Sequence, residues 1–218
     1  MSAQDGSQDR LCFSASPAEM DQLWSEGWRH FGVHFFKYPT AVHGENHFTV
    51  LPLRVDLERF QLKRSQKRVL ARNRDIRTAF NSAVLDQAAA ALFAKHRTRF
   101  TENRPSSLAE FLSPFPDSIP CRNIELRLYH EKRLIGTTYL DLGLSATSGV
   151  YAIFDPGEAK RSLGILMILQ SIRFSLNRGY RYYYPGYAYC EPSPYDYKKR
   201  FIGLEYLDWT TGWHSYDE

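Results

Sequence analysis

The chain has 218 residues, 43% of them hydrophobic and 24% charged, with a formal net charge of +4. That length and apolar content suit one compact domain, or two half-domains sharing a sheet, and exclude disorder as the default state. No apolar run approaches the roughly 20 residues needed to cross a bilayer, and MSAQDGSQDR lacks the basic and apolar regions of a secretory signal, so a cytoplasmic protein without a membrane partner is expected.

Residues 1–16 read as a polar, flexible arm. The following SASPAEM offers Ser16 as N-cap, Pro17 at the first helical position and Glu19 at the capping-box position, opening a helix that runs to about Trp28. VHFFKY and FTVLPLRV read as strands bracketing a polar loop, TAVHGENH, in which His43, Glu45 and His47 are taken as solvated residues and not as metal ligands. Then comes KRSQKRVLARNRDI, residues 63–76, a basic stretch with Ser65 as a possible cap, and DQAAAALFAKHRTRF, a helix by propensity. The Pro- and Ser-rich residues 105–121 contain a short helix capped by Ser107 and Glu110, and separate an N-terminal half, 17–104, from a C-terminal half, 122–218.

The second half begins with a hairpin, IELRLYH and LIGTTYLDL about a turn at EKR, and a third strand, GVYAIF. DPGEAKRSLG leads into ILMILQSIRFSLN, apolar on nearly every side at first and therefore a helix buried against a sheet. YRYYYPGYAY and LEYLDWTTGW read as the last two strands. Strands, a helix opening at a glycine turn and a further strand make an α/β pattern of the acyltransferase kind. Cys12, Cys121 and Cys190 are too far apart for a disulfide framework or a C-x-x-C site, and read as reduced thiols.

KRSLG, residues 160–164, stands where a strand turns into the buried helix. Free N–H groups and the positive end of a helix bind phosphate, Lys160 and Arg161 add charge, and Gly164 allows close approach. An acyl-CoA transferase would carry Q/R-x-x-G-x-G/A here, but Leu166 replaces the small residue, which argues against coenzyme A.

Taken together, LPLRVDLERFQLKRSQKRVLARNRDI, GVYAIFDPGEAKRSLG and YYYPGY followed by YDYKKRF resemble the arginyl- and leucyl-tRNA–protein transferase family. That resemblance implies two acetyltransferase-like halves with mixed sheets and packed helices. It also implies transfer of an amino acid from aminoacyl-tRNA onto the amine of a protein N-terminus, a peptide or a small molecule, without a cofactor. Arginine is preferred slightly over leucine as the transferred residue, with Asp141, Asp155 and Glu191 as candidate partners for its guanidinium. In this picture Arg54, Lys63, Arg64, Gln66, Lys67, Arg68 and Arg72 grip the tRNA backbone. Arg161, Ser162, Leu163 and Gly164 receive its 3′-terminal nucleotide. Tyr151, Asp155, Tyr184, Gly186, Tyr197 and Lys198 line the reaction cavity. Asp141 orients or deprotonates the amine, and Tyr187 serves the oxyanion. The ester is already activated, so no protein nucleophile is needed. Family members typically carry a cysteine cluster before P-x-R-V; YPTAVHGENHFTVLPLRV has none, which leaves the acceptor open. Two other functions fit the same residues: an acyl-CoA-dependent N-acyltransferase, and a tRNA-binding module without catalysis.

Overall fold

The computed structural model describes residues 6–100 and 104–216. In chain order the elements are β1 (Gln8–Leu11), α1 (Pro17–Ser25), β2 (Arg29–Phe31), β3 (His34–Lys37), β4 (Thr40–His43), β5 (Asn46–Asp56), α2 (Arg64–Arg72), β6 (Ile76–Ser82) and α3 (Gln87–His96). After the connection come β7 (Asn123–His130), β8 (Arg133–Leu142), β9 (Ala146–Phe154), α4 (Leu163–Asn177), β10 (Tyr182–Tyr189), β11 (Leu204–Asp208) and β12 (Gly212–Ser215).

Local chemistry explains several boundaries. Glu19 Oε2 accepts from the Ser16 amide at 2.7 Å and Ser16 Oγ from the Glu19 amide at 3.3 Å, so the capping box starts α1 as expected. α1 stops at Ser25, three residues before Trp28, because Gly27 takes a φ of +85°. Asp86 caps α3 through the Ala89 amide at 2.8 Å. Lys63, rather than Ser65, occupies the N-cap position of α2.

The main sheet runs β12-β11-β5-β10-β9-β8-β7-β6, with β4 paired to β5. β5 lies antiparallel between β10 and β11, so a strand from before the 105–121 connection sits between two strands from after it, and the two expected halves share one sheet. The core packs Leu53, Val55, Leu126, Leu128, Ile135 and Leu140 of the sheet against Leu163, Leu166, Met167 and Ile172 of α4. Leu166 is one of these core residues, buried against the sheet. A second small sheet, β1-β3-β2, holds Gln8–Leu11 against His34–Lys37, where a flexible arm was expected.

TAVHGENH forms the β4–β5 hairpin instead of a loop, and LEYLDWTTGW folds into two paired strands instead of one. The side chain of His43 lies outside the described residues, and Glu45 and His47 are exposed. Among the described residues no helix is long and apolar enough to cross a membrane.

Candidate active site

β9 and β10 run parallel but pair only at their beginnings, Tyr182 with Ala146, Tyr183 with Thr147 and Tyr184 with Ser148. Beyond these residues β9 continues its ladder with β8, and β10 with β5, so the two strands part and open a cleft. Irregularities on both walls shape it. Val150 is an extra residue between the pairs Tyr139–Tyr151 and Leu140–Gly149, and β10 slips register between Tyr183 and Gly186. Gly186 has a φ of +94°, a conformation that glycine adopts without strain. Bulges of this kind re-aim side chains next to functional sites.

The slip at Gly186 makes room for two cations. A Cβ placed on Gly186 would lie 3.4 Å from Lys198 Nζ and 3.8 Å from a guanidinium nitrogen of Arg29. Lys198 comes from the turn Asp196–Lys199 and donates to the Tyr187 carbonyl at 2.9 Å. Arg29 comes from β2 and donates to Ser148 Oγ and to the Gly149 carbonyl, on the opposite wall. Both side chains are half-buried, and among the described residues neither has a carboxylate partner. Burial, reinforced by the charge of Arg29, brings the Lys198 ammonium down to about 7. Arg29 stands on a three-residue strand that sequence patterning misses; its only signal is a charge between the aromatic residues Trp28 and His30.

Aromatic rings surround the cations. Tyr187 packs edge-on against Tyr38, centroids 5.3 Å apart, and its hydroxyl donates to the Gly27 carbonyl at 2.6 Å. That hydroxyl is therefore anchored, and burial pushes its pKa up. Tyr151 stacks on Phe111 at 3.7 Å and burial pushes it up to about 12, while half-buried Tyr197 is raised by the same cause. Tyr195 lies beneath the Lys198 ammonium, 5.0 Å from ring centre to Nζ. Tyr184 does not join them: it packs between Trp24 and Trp213, at 5.8 and 5.9 Å, on the far side of β10.

Asp141 sits 1% exposed, with Oδ2 2.7 Å from His30 Nε2 and Oδ1 accepting from Asn123 Nδ2 at 2.7 Å. Both of its oxygens are thereby engaged by protein partners. Asp155 also turns inward, accepting from Arg133 at 3.0 Å, Lys95 at 3.2 Å and the Gly157 amide at 2.9 Å. At the start of α4, Arg161 is tied by two 2.9 Å bonds to Asp75 and a third to Glu158. Leu163 is core. Ser162 is left-handed, with φ +56°, and its side chain caps nothing. A Cβ on Gly164 would meet only the edge of the Phe154 ring, at 3.9 Å. The helix start therefore keeps free amides and an open approach at Gly164, while its arginine is already paired.

On α2, Arg64, Lys67 and Arg68 are exposed, whereas Gln66 and Val69 face inward. Gln66 accepts from the Lys63 amide and donates to the Arg200 carbonyl at 3.1 Å, so its role is to seat the helix. Arg72 reaches the Lys160 carbonyl at 2.6 Å. Arg54 is removed from this face: it pairs with Glu205 at 2.7 Å and lies between the rings of Tyr182 and Trp213. A cavity of about 230 Å³ beside the first turn of α2, between Arg59, Lys63 and Tyr216, is lined by no residue of β9 or β10.

Comparison with known proteins agrees with this geometry. The family model for the C terminus of arginine-tRNA-protein transferase matches residues 61–208. The chain is 32% identical over 194 residues to the aspartate/glutamate leucyltransferase of Chromohalobacter salexigens, covering 86% of this chain and 76% of that protein. It is 30% identical to the protein of the same name from Saccharophagus degradans, covering 84% and 78%. Among solved structures, L-PGS from Bacillus licheniformis shares the fold, with a TM-score of 0.52 at 12% identity over 67% of this chain and 48% of that one. A mixed acetyltransferase-like sheet with parted parallel strands, an open helix start behind them and a family match over residues 61–208 make this chain a member of the arginyl- and leucyl-tRNA–protein transferase family of aminoacyl-tRNA-dependent transferases.

Proposed function

We propose that the chain moves leucine from leucyl-tRNA onto the α-amine of acceptors whose first residue is aspartate or glutamate. The observation that carries this reading is the pair Arg29 and Lys198, two half-buried cations at one glycine, neither paired with a carboxylate among the described residues. Charge withdrawn from water is costly unless it is paired, and an acidic acceptor side chain supplies the missing anion. The names of the relatives, aspartate/glutamate leucyltransferase, support both the acceptor and the donor. Leucine also fits the surroundings better than the arginine preferred from sequence. Of the three carboxylates considered for a guanidinium, Asp141 and Asp155 are enclosed by their own partners, and Glu191 accepts from the Thr49 amide at 2.9 Å.

The donor ester lies in the cleft, with its terminal phosphate at the α4 amides beside Gly164. The neutral α-amine attacks the ester carbonyl, the new C–N bond forms as the C–O bond to the ribose breaks, and the proton lost by nitrogen goes to the departing ribose oxygen. The protein aligns amine and carbonyl and excludes water.

A panel of peptides beginning with Asp, Glu, Asn, Ala or Lys, each incubated with labelled leucyl-tRNA or arginyl-tRNA, tests the reading. Label is expected on the Asp and Glu peptides from leucyl-tRNA. Transfer to the Ala peptide at the same efficiency, or from arginyl-tRNA alone, would refute it.

The pH dependence follows from Lys198. With its pKa lowered to about 7, it is cationic below that value and neutral above, so recognition of an acidic acceptor is lost as the pH rises through 7. The attacking amine, with an ordinary pKa of about 7.7 to 8.0, gains reactivity over the same interval. kcat/KM for an Asp peptide is therefore expected to be bell-shaped with its maximum between these values, and Lys198→Arg should flatten the alkaline limb.

The exposed face of α2 is read as the grip on the tRNA backbone. Each lost phosphate contact lowers the slope of log K against log salt by about 0.7 to 0.9. Lys67→Glu with Arg68→Glu should therefore flatten that slope by roughly 1.5 for every tRNA tested, as measured by filter binding. An unchanged slope would return these residues to a solvated helix face.

A further inference from the structure

Behind the cleft, His30, Cys121 and Asp141 are all buried, and a ligand atom of each lies within 4.8 Å of the others. We propose that this trio binds one divalent transition-metal ion of the zinc class, a site distinct from the β9–β10 cleft and from the hairpin that carries His43 and His47. The ligand atoms are His30 Nε2, Cys121 Sγ and Asp141 Oδ2.

Each orienting bond points the same way. His30 Nδ1 is 2.8 Å from the Gly32 carbonyl, which only accepts, so Nδ1 holds its hydrogen there and Nε2 faces the trio. An outer bond from the second ring nitrogen to a carbonyl is the usual support of a metal-bound histidine. Asp141 Oδ1 is held by Asn123 Nδ2 at 2.7 Å, leaving Oδ2 directed at His30 Nε2 at 2.7 Å.

A separate observation indicates room for a ligand. Asn123 is 3% exposed, and its Oδ1 has no hydrogen-bond partner among the described residues. Asn123, His30 and Asp141 border a cavity of about 10 Å³, space for a single small occupant. Buried amide oxygens are almost always satisfied, so this acceptor calls for a donor or a cation. The set is sulfur, nitrogen and oxygen within 4.8 Å of one another, a combination that suits zinc or cobalt and not calcium or magnesium.

The charges also balance. A thiolate, a neutral imidazole and a carboxylate together carry two negative charges, which one divalent cation offsets. The ligand on β2 is the residue next to Arg29, so the ion would hold that strand in place without touching substrate.

The test is cobalt(II) titration of the full chain, stripped with a chelator and kept reduced. About one equivalent should bind, with a thiolate-to-cobalt charge-transfer band in the near ultraviolet and release of protons. Cys121→Ser should remove the band, while Cys12→Ser, Cys190→Ser and His47→Ala should retain it. Elemental analysis of protein produced in zinc-supplemented cells provides a measurement that does not depend on entry of the ion into a folded chain or on any variant, and about one zinc per wild-type chain is expected. Wild-type protein that holds no metal in either measurement overturns the proposal, as does a cobalt band that survives Cys121→Ser or is lost with Cys190→Ser.

Discussion

Replacing Lys198 with Met is expected to lower kcat/KM for a peptide beginning with Asp by roughly 10- to 150-fold, the size of one charge-assisted hydrogen bond of about 1.5 to 3 kcal/mol. The loss should fall mainly on KM, because an acceptor carboxylate is held equally before and during attack, and uniform binding of this kind does not change kcat. An Asn peptide, which carries no charge, should be used as poorly by the variant as by the wild type. The fold should not suffer. Lys198 is a half-buried cation facing a second one, and it donates to a backbone carbonyl, that of Tyr187, so the methionine variant should have an unchanged or higher thermal midpoint. Steady-state kinetics on the two peptides with a melting curve decide the matter; equal losses on Asp and Asn peptides would show that Lys198 does not read the carboxylate.

Gly164→Val should reduce transfer by about 100-fold or more, the cost of displacing a reacting group by about an ångström. Here the protein itself accommodates a side chain: the nearest atom to a Cβ is Phe154 Cε1 at 3.9 Å, and the backbone is ordinary right-handed helix. Gly164→Ala should even be slightly stabilising, by about 0.5 to 1 kcal/mol. Lost activity in either variant therefore reports on the terminal nucleotide of the donor and not on folding. The salt-dependent affinity for tRNA should remain largely intact, because the cations of α2 are untouched. Wild-type turnover by the valine variant, measured with saturating leucyl-tRNA, would remove the helix start from the donor site.

Much of the architecture follows from short-range patterns. The capping box at Ser16 and Glu19, the β7–β8 hairpin and the apolar run of α4 are legible because each depends on residues within a few positions of one another. The glycine at the start of α4 and the basic composition of α2 are legible for the same reason. What needs distant partners is not. β1 and β2 have four and three residues with little apolar periodicity, and become strands only because β3 lies between them. β6 likewise is a strand by virtue of β7.

The site divides along the same line. The sequence by itself determined that 63–76 is strongly basic, while Lys198, Gly186 and Tyr187 were grouped only by the resemblance to the transferase family. It could not say which charges remain free. Arg161 meets Asp75, 86 positions away; Arg54 meets Glu205, 151 positions away; and Asp141 meets His30, 111 positions away, so three residues that read as substrate contacts are satisfied within the protein. Arg29 travels the other way, from an unremarked tripeptide to the wall of the cleft, 119 positions from its partner Ser148. An ionisable side chain is decided by whichever opposite charge or carbonyl reaches it first in space. That distance is set by sheet order, in which β5 and β9 flank β10, and not by spacing along the chain.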